Sequence, residues 1–254
     1  MKIAYRTCAY KDIAIASVLR QIAEAGYDGA ELCLENRDIS VDVMTDAKIA
    51  EVKDALSATG LGLTSVSLHA PIVKDEAAFA RVKRGVVIAR KFDCDVFVAC
   101  SGPGTGAGKN DWTVLCGRVA ELMEVCQEHN VFLALEPEPG FVLGSSDDMA
   151  RLLDDIGSDY LRVNLDIGHA FITDEDVCES IRRLSSAIVH THFEDIATDK
   201  THKHLIPGEG AIDFKAIVNA LREAGYARYL TVDLFNIDPA IAATPALDAL
   251  RKAL

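Results

Sequence analysis

The chain has 254 residues, half of them hydrophobic, and its 39 acidic and 26 basic side chains give a formal net charge of −13. It is long enough to bury a large core, and its acidic balance disfavours nucleic acid and anionic membranes as partners, because both need a basic footprint. Seven cysteines without a Cys-x-x-Cys motif indicate reduced thiols rather than a disulfide framework. Because no signal-like segment and no apolar run near the ~20 residues needed to span a bilayer is present, we expect a cytoplasmic protein.

Strand-like apolar segments alternate with segments of helical spacing along the whole chain. The predicted strands cover residues 2–9, 29–35, 61–69, 95–100, 131–136, 160–166, 187–192 and 229–234. The predicted helices cover residues 13–26, 43–60, 76–92, 112–129, 146–156, 175–184, 213–224 and 239–253. This period predicts an α/β protein with a single (β/α)₈ TIM barrel as one domain over residues 1–254. A doubly wound open sheet is the alternative, although no G-x-G-x-x-G follows the first strand.

The segment LRVNLDIGHA at 161–170 places a carboxylate and an imidazole at the end of the sixth strand. Alternating apolar residues predict a strand up to Asp166, and Gly168 is interpreted as the point where the strand breaks into a loop. Asp166 and His169 would then lie at the mouth of the barrel, where an oxygen and a nitrogen can bind a divalent cation.

Four consecutive strands end in metal-competent side chains, namely Glu136, Asp166, His192 and Asp233. The carboxyl ends of barrel strands face one mouth, so these four groups are expected to converge. Each residue alone is more often a solvated carboxylate or a hydrogen-bonded histidine, but four in a row favour a metal site. Three carboxylates and one imidazole favour Mn²⁺, with Mg²⁺, Co²⁺ or Zn²⁺ possible, over a structural zinc site.

Short motifs along nearly the whole chain resemble the xylose-isomerase-like TIM-barrel superfamily, in particular its sugar isomerase and epimerase branch. They are GYDGAEL at 26–32, LHAP at 68–71, LEP at 135–137, DIGH at 166–169, HTHFED at 190–195, PGEGAIDF at 207–214 and GYARYLTVD at 225–233. The relatives in this branch include tagatose and psicose 3-epimerases, hydroxypyruvate isomerase, and inosose isomerase and dehydratase. The motifs are specific for the superfamily and much less so for the substrate.

The resemblance implies that Glu136, Asp166 and His192 are metal ligands and that His169 contacts a substrate oxygen. Asp233 lies where the family usually has a glutamate that is both ligand and acid/base. Aspartate is one methylene shorter, which puts the two-glutamate epimerase mechanism in doubt.

The chemistry expected of such a site is metal-assisted proton transfer beside a carbonyl. The cation polarises a carbonyl and a neighbouring hydroxyl, so that the adjacent C–H becomes acidic. Glu136 or Asp233 removes the proton, and His169 helps to hold the enediolate. Reprotonation elsewhere gives isomerisation or epimerisation, whereas loss of a β-hydroxyl gives dehydration.

Three further residues are predicted to bind substrate: His69, which ends the third strand, His204, and Trp112, which could stack on a sugar face. The alternative for His69 is a hydrogen-bonded core histidine, and for His204 it is a residue that orders its loop. An isolated tryptophan such as Trp112 is more often simply packed. His202 and His204 could also hold a second cation with His169, as in endonuclease-IV-like barrels. The acidic charge and Cys100-Ser101 in place of a further histidine disfavour such a nuclease.

Two features bear on the substrate and on the support of the site. The glycine-rich segment at 101–110 fails the G-x-x-x-x-G-K-[ST] spacing of a phosphate loop and is interpreted as a mobile lid. Cations near the predicted mouth are sparse, with Lys109, Lys200 and Lys203 as exceptions, which favours an unphosphorylated substrate. Glu31 is expected to form a structural salt bridge.

The sequence therefore predicts a metal-dependent isomerase or epimerase of a small keto-sugar or cyclitol, with a homo-oligomer possible. One alternative is a lyase, either an inosose or dehydroshikimate-type dehydratase or a subunit that cleaves a 3-keto-glycoside. A further alternative is a non-catalytic sugar-binding subunit.

Overall fold

The computed structural model describes residues 1–106 and 109–254, apart from the side chain of Lys109. Its strands run parallel and close into a barrel in sequence order, with the last strand paired to the first. The strands are β1 Lys2–Arg6, β2 Gly29–Cys33, β3 Gly62–Leu68, β4 Val96–Cys100, β5 Phe132–Glu136, β6 Leu161–Asp166, β7 Ile188–Phe193 and β8 Tyr229–Val232. The predicted α/β class and TIM barrel are thereby confirmed.

Helices cover the outside of the barrel. Within the described residues they are α1 Ile15–Glu24, α2 Asp46–Thr59, α3 Glu76–Lys91, α4 Lys109–His129, α5 Ser146–Ile156, α6 Ile167–Thr173, α7 Val177–Leu184, α8 Phe214–Glu223 and α9 Pro239–Ala253. In this part of the chain no helix combines the length and the apolar character that a bilayer crossing needs.

The main core lies between the strands and this outer layer. Along β4, Phe97 and Ala99 face the helices, whereas Val96 and Val98 belong to a small separate cluster on the barrel axis. Successive side chains of a strand point to opposite faces, so every second residue faces the interior. Polar residues on that interior face lie at the carboxyl ends of the strands, where the site is built.

The end of β6 differs from the prediction, because helix α6 begins where a loop is expected. The Asp166 carboxylate accepts a hydrogen bond from the backbone N–H of His169 at 2.7 Å and caps the helix. Gly168 does not turn the chain with a positive φ. It leaves room for Glu194, since a Cβ at Gly168 would lie 1.8 Å from Glu194 Oε1.

The lid predicted at 101–110 is described only in part. Residues 107 and 108 and the side chain of Lys109 lie outside the described residues. On the near side of this gap, the buried hydroxyl of Ser101 accepts a hydrogen bond from the N–H of Leu143 at 3.0 Å. The start of the segment is thus tied to the loop that follows β5.

Candidate active site

Three carboxylates predicted to be metal ligands converge on a ring nitrogen of the fourth predicted ligand, His192, at the carboxyl end of the barrel. Asp166 and His192 are register partners on neighbouring strands. From Nδ1 of His192, the distances are 2.8 Å to Glu136 Oε2, 3.9 Å to Asp166 Oδ2 and 4.0 Å to Asp233 Oδ2. All four residues are buried. Residues separated by almost 100 positions in sequence therefore share one small volume.

Glu31 supports this group from below. Its Oε2 accepts hydrogen bonds from Nε2 of His192 at 2.9 Å, Nε2 of His190 at 2.8 Å and the hydroxyl of Ser65 at 2.7 Å. Because a carboxylate only accepts, Nε2 of His192 carries a proton and Nδ1 faces the three carboxylates. Burial would raise the pKa of Glu31, but His192 and Arg6 hold it well below its ordinary value. Such a carboxylate–histidine pair orients a metal-binding imidazole.

Arg6, which the sequence analysis did not select, completes the support. Its Nε donates to Glu31 at 2.7 Å, which confirms the predicted salt bridge of Glu31, and its Nη1 donates to Asp233. Its Nη2 lies 3.0 Å from Nδ1 of His69. Arginine has no acceptor atom, so Nδ1 of His69 accepts and its Nε2 donates to Glu136 at 3.1 Å.

The buried guanidinium adds a cation at the mouth that the sequence analysis did not count when it described cations there as sparse. The available sequence signal was a single arginine closing an apolar strand, in KIAYR. The charge acts directly on Asp233: burial would raise the pKa of this carboxyl, but Arg6 keeps it below the ordinary value. Asp233 is thus held as a carboxylate, and its Oδ1 accepts from the thiol of Cys8 at 3.5 Å.

The donor set fits a divalent cation. Oδ2 of Asp166 is buried without a hydrogen-bond partner, although it faces the imidazole of His192. Burial lowers the pKa of His192, but the charges of Glu31 and Glu136 outweigh it and raise the pKa to about 10. A proton on His192 therefore supplies a positive charge that balances the neighbouring buried carboxylates. A divalent ion can replace this proton and provide that positive charge.

A second group of imidazoles lies beside this centre. His169 Nδ1 donates to the carbonyl of Pro137 at 3.1 Å, and His204 Nδ1 donates to the carbonyl of Asp233 at 3.0 Å. These bonds direct the Nε2 atoms away from the backbone; that of His204 is buried without a partner, and that of His169 lies 3.0 Å from Nε2 of His202. The three rings each offer one nitrogen within 4.8 Å of the others and could hold a second cation.

A cavity of about 250 Å³ opens above both groups. At about 30 Å³ per water molecule this equals roughly eight waters, a volume suited to a small metabolite. The cavity is lined by the cations Arg6 and Lys11, by Cys8 and Phe235, and by further ionisable side chains, which are Glu35, His69, Glu136, Glu138, His169, His202, His204 and Asp233. The lining thus contains His69 and His204, the histidines predicted to bind substrate.

Trp112 is not among the residues that line this cavity. Helix α4 begins at Lys109, so Trp112 lies in its first turn in the outer layer. Its indole N–H donates to Asp155 on α5 at 3.0 Å, and the Arg151 guanidinium stacks 4.1 Å from the ring. The prediction that Trp112 binds substrate therefore has no support at this cavity, and packing between α4 and α5 accounts for the residue.

Two acidic residues near the site were missed by sequence reasoning. Glu138 lines the cavity, and burial together with the charge of Glu136 raises its pKa to about 8. Glu194 is fully buried beside Asp166, and neither of its oxygens has a hydrogen-bond partner within the described part of the chain. Burial and the charge of Asp166 raise its pKa well above the ordinary value. The signals available were EPEP at 136–139 and the glutamate between His192 and Asp195.

Comparison with known proteins identifies similar chains. An inosose dehydratase from Bacillus velezensis is 24% identical over 148 residues, which is 52% of this chain and 49% of the relative. A fructoselysine 3-epimerase from Shigella flexneri is 24% identical over 273 residues, covering 100% of this chain and 98% of the relative. A solved structure of the IOLI protein with a bound zinc atom has a TM-score of 0.80 at 17% identity and covers 100% and 96% of the two chains.

The matches differ in extent. This chain spans about half the length of the curated inosose dehydratases that it matches. A family model described as the xylose isomerase-like TIM barrel, however, matches residues 19–253. That match covers all but the first strand and the start of α1, and it agrees with the closed parallel barrel. The chain therefore belongs to the xylose isomerase-like TIM barrel family.

Proposed function

We propose that this chain is a divalent-metal-dependent isomerase or epimerase of a small keto-sugar or cyclitol. The observation that carries the proposal is the convergence of Glu136, Asp166, His192 and Asp233 below a small cavity lined by ionisable side chains. The full-length similarity to a fructoselysine 3-epimerase and the zinc in the IOLI structure support it.

The four converging residues would hold the ion, which when bound supplies a Lewis acid that acidifies the C–H beside a carbonyl. Of the remaining groups, His169 has its Nδ1 hydrogen fixed on Pro137 and directs Nε2 toward the cavity, where it binds a substrate oxygen. Glu136 takes the proton from carbon, with its orientation set by His69 and by the amide of Asn164 at 2.5 Å. The buried walls limit the water around these groups, which strengthens their electrostatic effect.

A lyase is the second candidate, and the contacts of Asp233 favour it. Both of its oxygens are engaged, one by Arg6 and one by the thiol of Cys8, so it is a weak second base. Inversion at carbon through two bases needs one on each face, whereas elimination needs a single well-placed base. The similarity to inosose dehydratases is consistent with this reaction.

Incubation of the Mn²⁺-loaded protein in D₂O with D-fructose, D-tagatose, scyllo-inosose and a 3-keto-glucoside separates the two candidates. An isomerase or epimerase places deuterium on the carbon beside the carbonyl in a product of unchanged composition. A lyase releases water or an aglycone. Turnover of a substrate without any deuterium incorporation would refute proton transfer at carbon, and binding without turnover would indicate a sugar-binding protein.

A further inference from the structure

Glu138 differs from the other carboxylates of this cavity in having no side-chain partner among the residues that the structure describes. Glu35 accepts a hydrogen bond from the N–H of His69 at 2.6 Å, Glu136 accepts from Nε2 of His69, and Asp233 is bound by Arg6. Among the described residues, no hydrogen bond or ion pair reaches the carboxylate of Glu138. The cavity therefore contains one acidic group with its full accepting capacity unused.

The backbone holds Glu138 in a defined position. Pro137 and Pro139 flank it and fix φ on both sides. The N–H of Glu138 donates to Leu143 at 3.0 Å, and its carbonyl accepts from Phe141 at 3.0 Å. The backbone of this turn is therefore ordered before binding and holds the side chain of Glu138 beside Glu136, so that only side-chain rotamer freedom is lost when a ligand binds.

We propose that Glu138 is a substrate-binding residue whose carboxyl group forms a hydrogen bond with a hydroxyl group of the substrate. The inference rests on the proposed function and adds to it that the substrate is a polyol with a hydroxyl on the side of the loop after β5. A hydroxyl group can both donate and accept a hydrogen bond, so it can pair with the carboxyl group of Glu138 whether or not that group carries a proton. Glu138 would thus contribute to specificity, while Glu136 and His169 contact the reacting atoms.

Equilibrium binding to the Mn²⁺-loaded protein tests this proposal independently of turnover. The probes are D-fructose, D-tagatose and scyllo-inosose, each with its singly deoxygenated analogues. In the wild type we expect removal of one particular hydroxyl to weaken binding about two- to tenfold, as for a hydrogen bond between neutral groups. Glu138→Ala should weaken binding of the intact polyol by the same factor, and its affinity should not fall further when that hydroxyl is removed. Glu138→Gln should retain part of the affinity.

Glu124→Ala, on the exposed face of α4, is the matched control and should bind like the wild type. The proposal would be overturned if the wild type and Glu138→Ala bound every probe equally. It would also be overturned if Glu138→Ala still bound the intact polyol more tightly than the deoxygenated analogue. A wild-type protein that binds none of the probes would overturn it as well. A wild type that binds with the expected pattern but exchanges no deuterium would refute the enzymatic function and leave the role of Glu138 standing.

Discussion

Replacing Glu31 by glutamine tests how the buried network supports the candidate metal site. The carboxylate accepts from Arg6 through Oε1, and from Ser65, His190 and His192 through Oε2. Glutamine has one accepting oxygen, so its less costly orientation keeps the Oε2 contacts and turns the NH₂ group toward the guanidinium. Arg6 then loses one of its two carboxylate partners in a buried setting.

Breaking one side of a buried ion pair costs about 3–5 kcal/mol, and because Arg6 retains Asp233 we expect about 3 kcal/mol for Glu31→Gln. We also expect Mn²⁺ affinity to fall about 10- to 100-fold, because a neutral amide holds the imidazole of His192 less firmly. Urea unfolding of the metal-free protein measures the first effect, and calorimetric Mn²⁺ titration measures the second.

Glu121→Gln provides the matched control for the same substitution. Glu121 pairs with Lys83 at 2.7 Å, but its side chain is 53% exposed, so the expected loss is about 0–1 kcal/mol. The reasoning would be refuted if Glu31→Gln lost no more stability than Glu121→Gln and kept its Mn²⁺ affinity. The buried network would then be needed neither for stability nor for metal binding.

Three further predictions follow from contacts near the site. Gly168→Ala should destabilise the protein by about 1–3 kcal/mol, because its Cβ would lie 1.8 Å from Glu194 Oε1, and Glu194→Ala in the same chain should recover most of that in urea unfolding; a double variant no more stable than Gly168→Ala contradicts this. Mn²⁺ binding below about pH 10 should release close to one proton, since the pKa of His192 is raised to about 10 without metal; calorimetric heats that do not vary with the buffer would argue against it. In Arg6→Met, burial should raise the pKa of Asp233, so Mn²⁺ binding should be lost at a higher pH than in the wild type; superimposable pH profiles of Kd would disprove the coupling.

The fold could be predicted because its signals are local. Apolar alternation and helical spacing repeat eight times, and the strand ends at Glu136 and Asp166 agree with the structure. The start of α6 was missed because it depends on a side-chain contact. The Asp166 carboxylate accepts a hydrogen bond from the N–H of His169, and this cap stabilises a helix where a loop was expected. For the same reason Gly168 was assigned to a turn, although a glycine is needed there because of the close approach of Glu194, which follows β7.

The sequence by itself determined the barrel, the family and the set of strand-end side chains that can bind a metal. Only the tertiary structure decided how those side chains are supported. Arg6 and Glu31 come from strands at the start of the chain, and their pairing with Asp233 and His192 depends on barrel closure, which brings β1 beside β8. Strand periodicity carries information over a few residues, whereas charge pairing and burial depend on distances that arise when strands more than 150 residues apart in sequence meet.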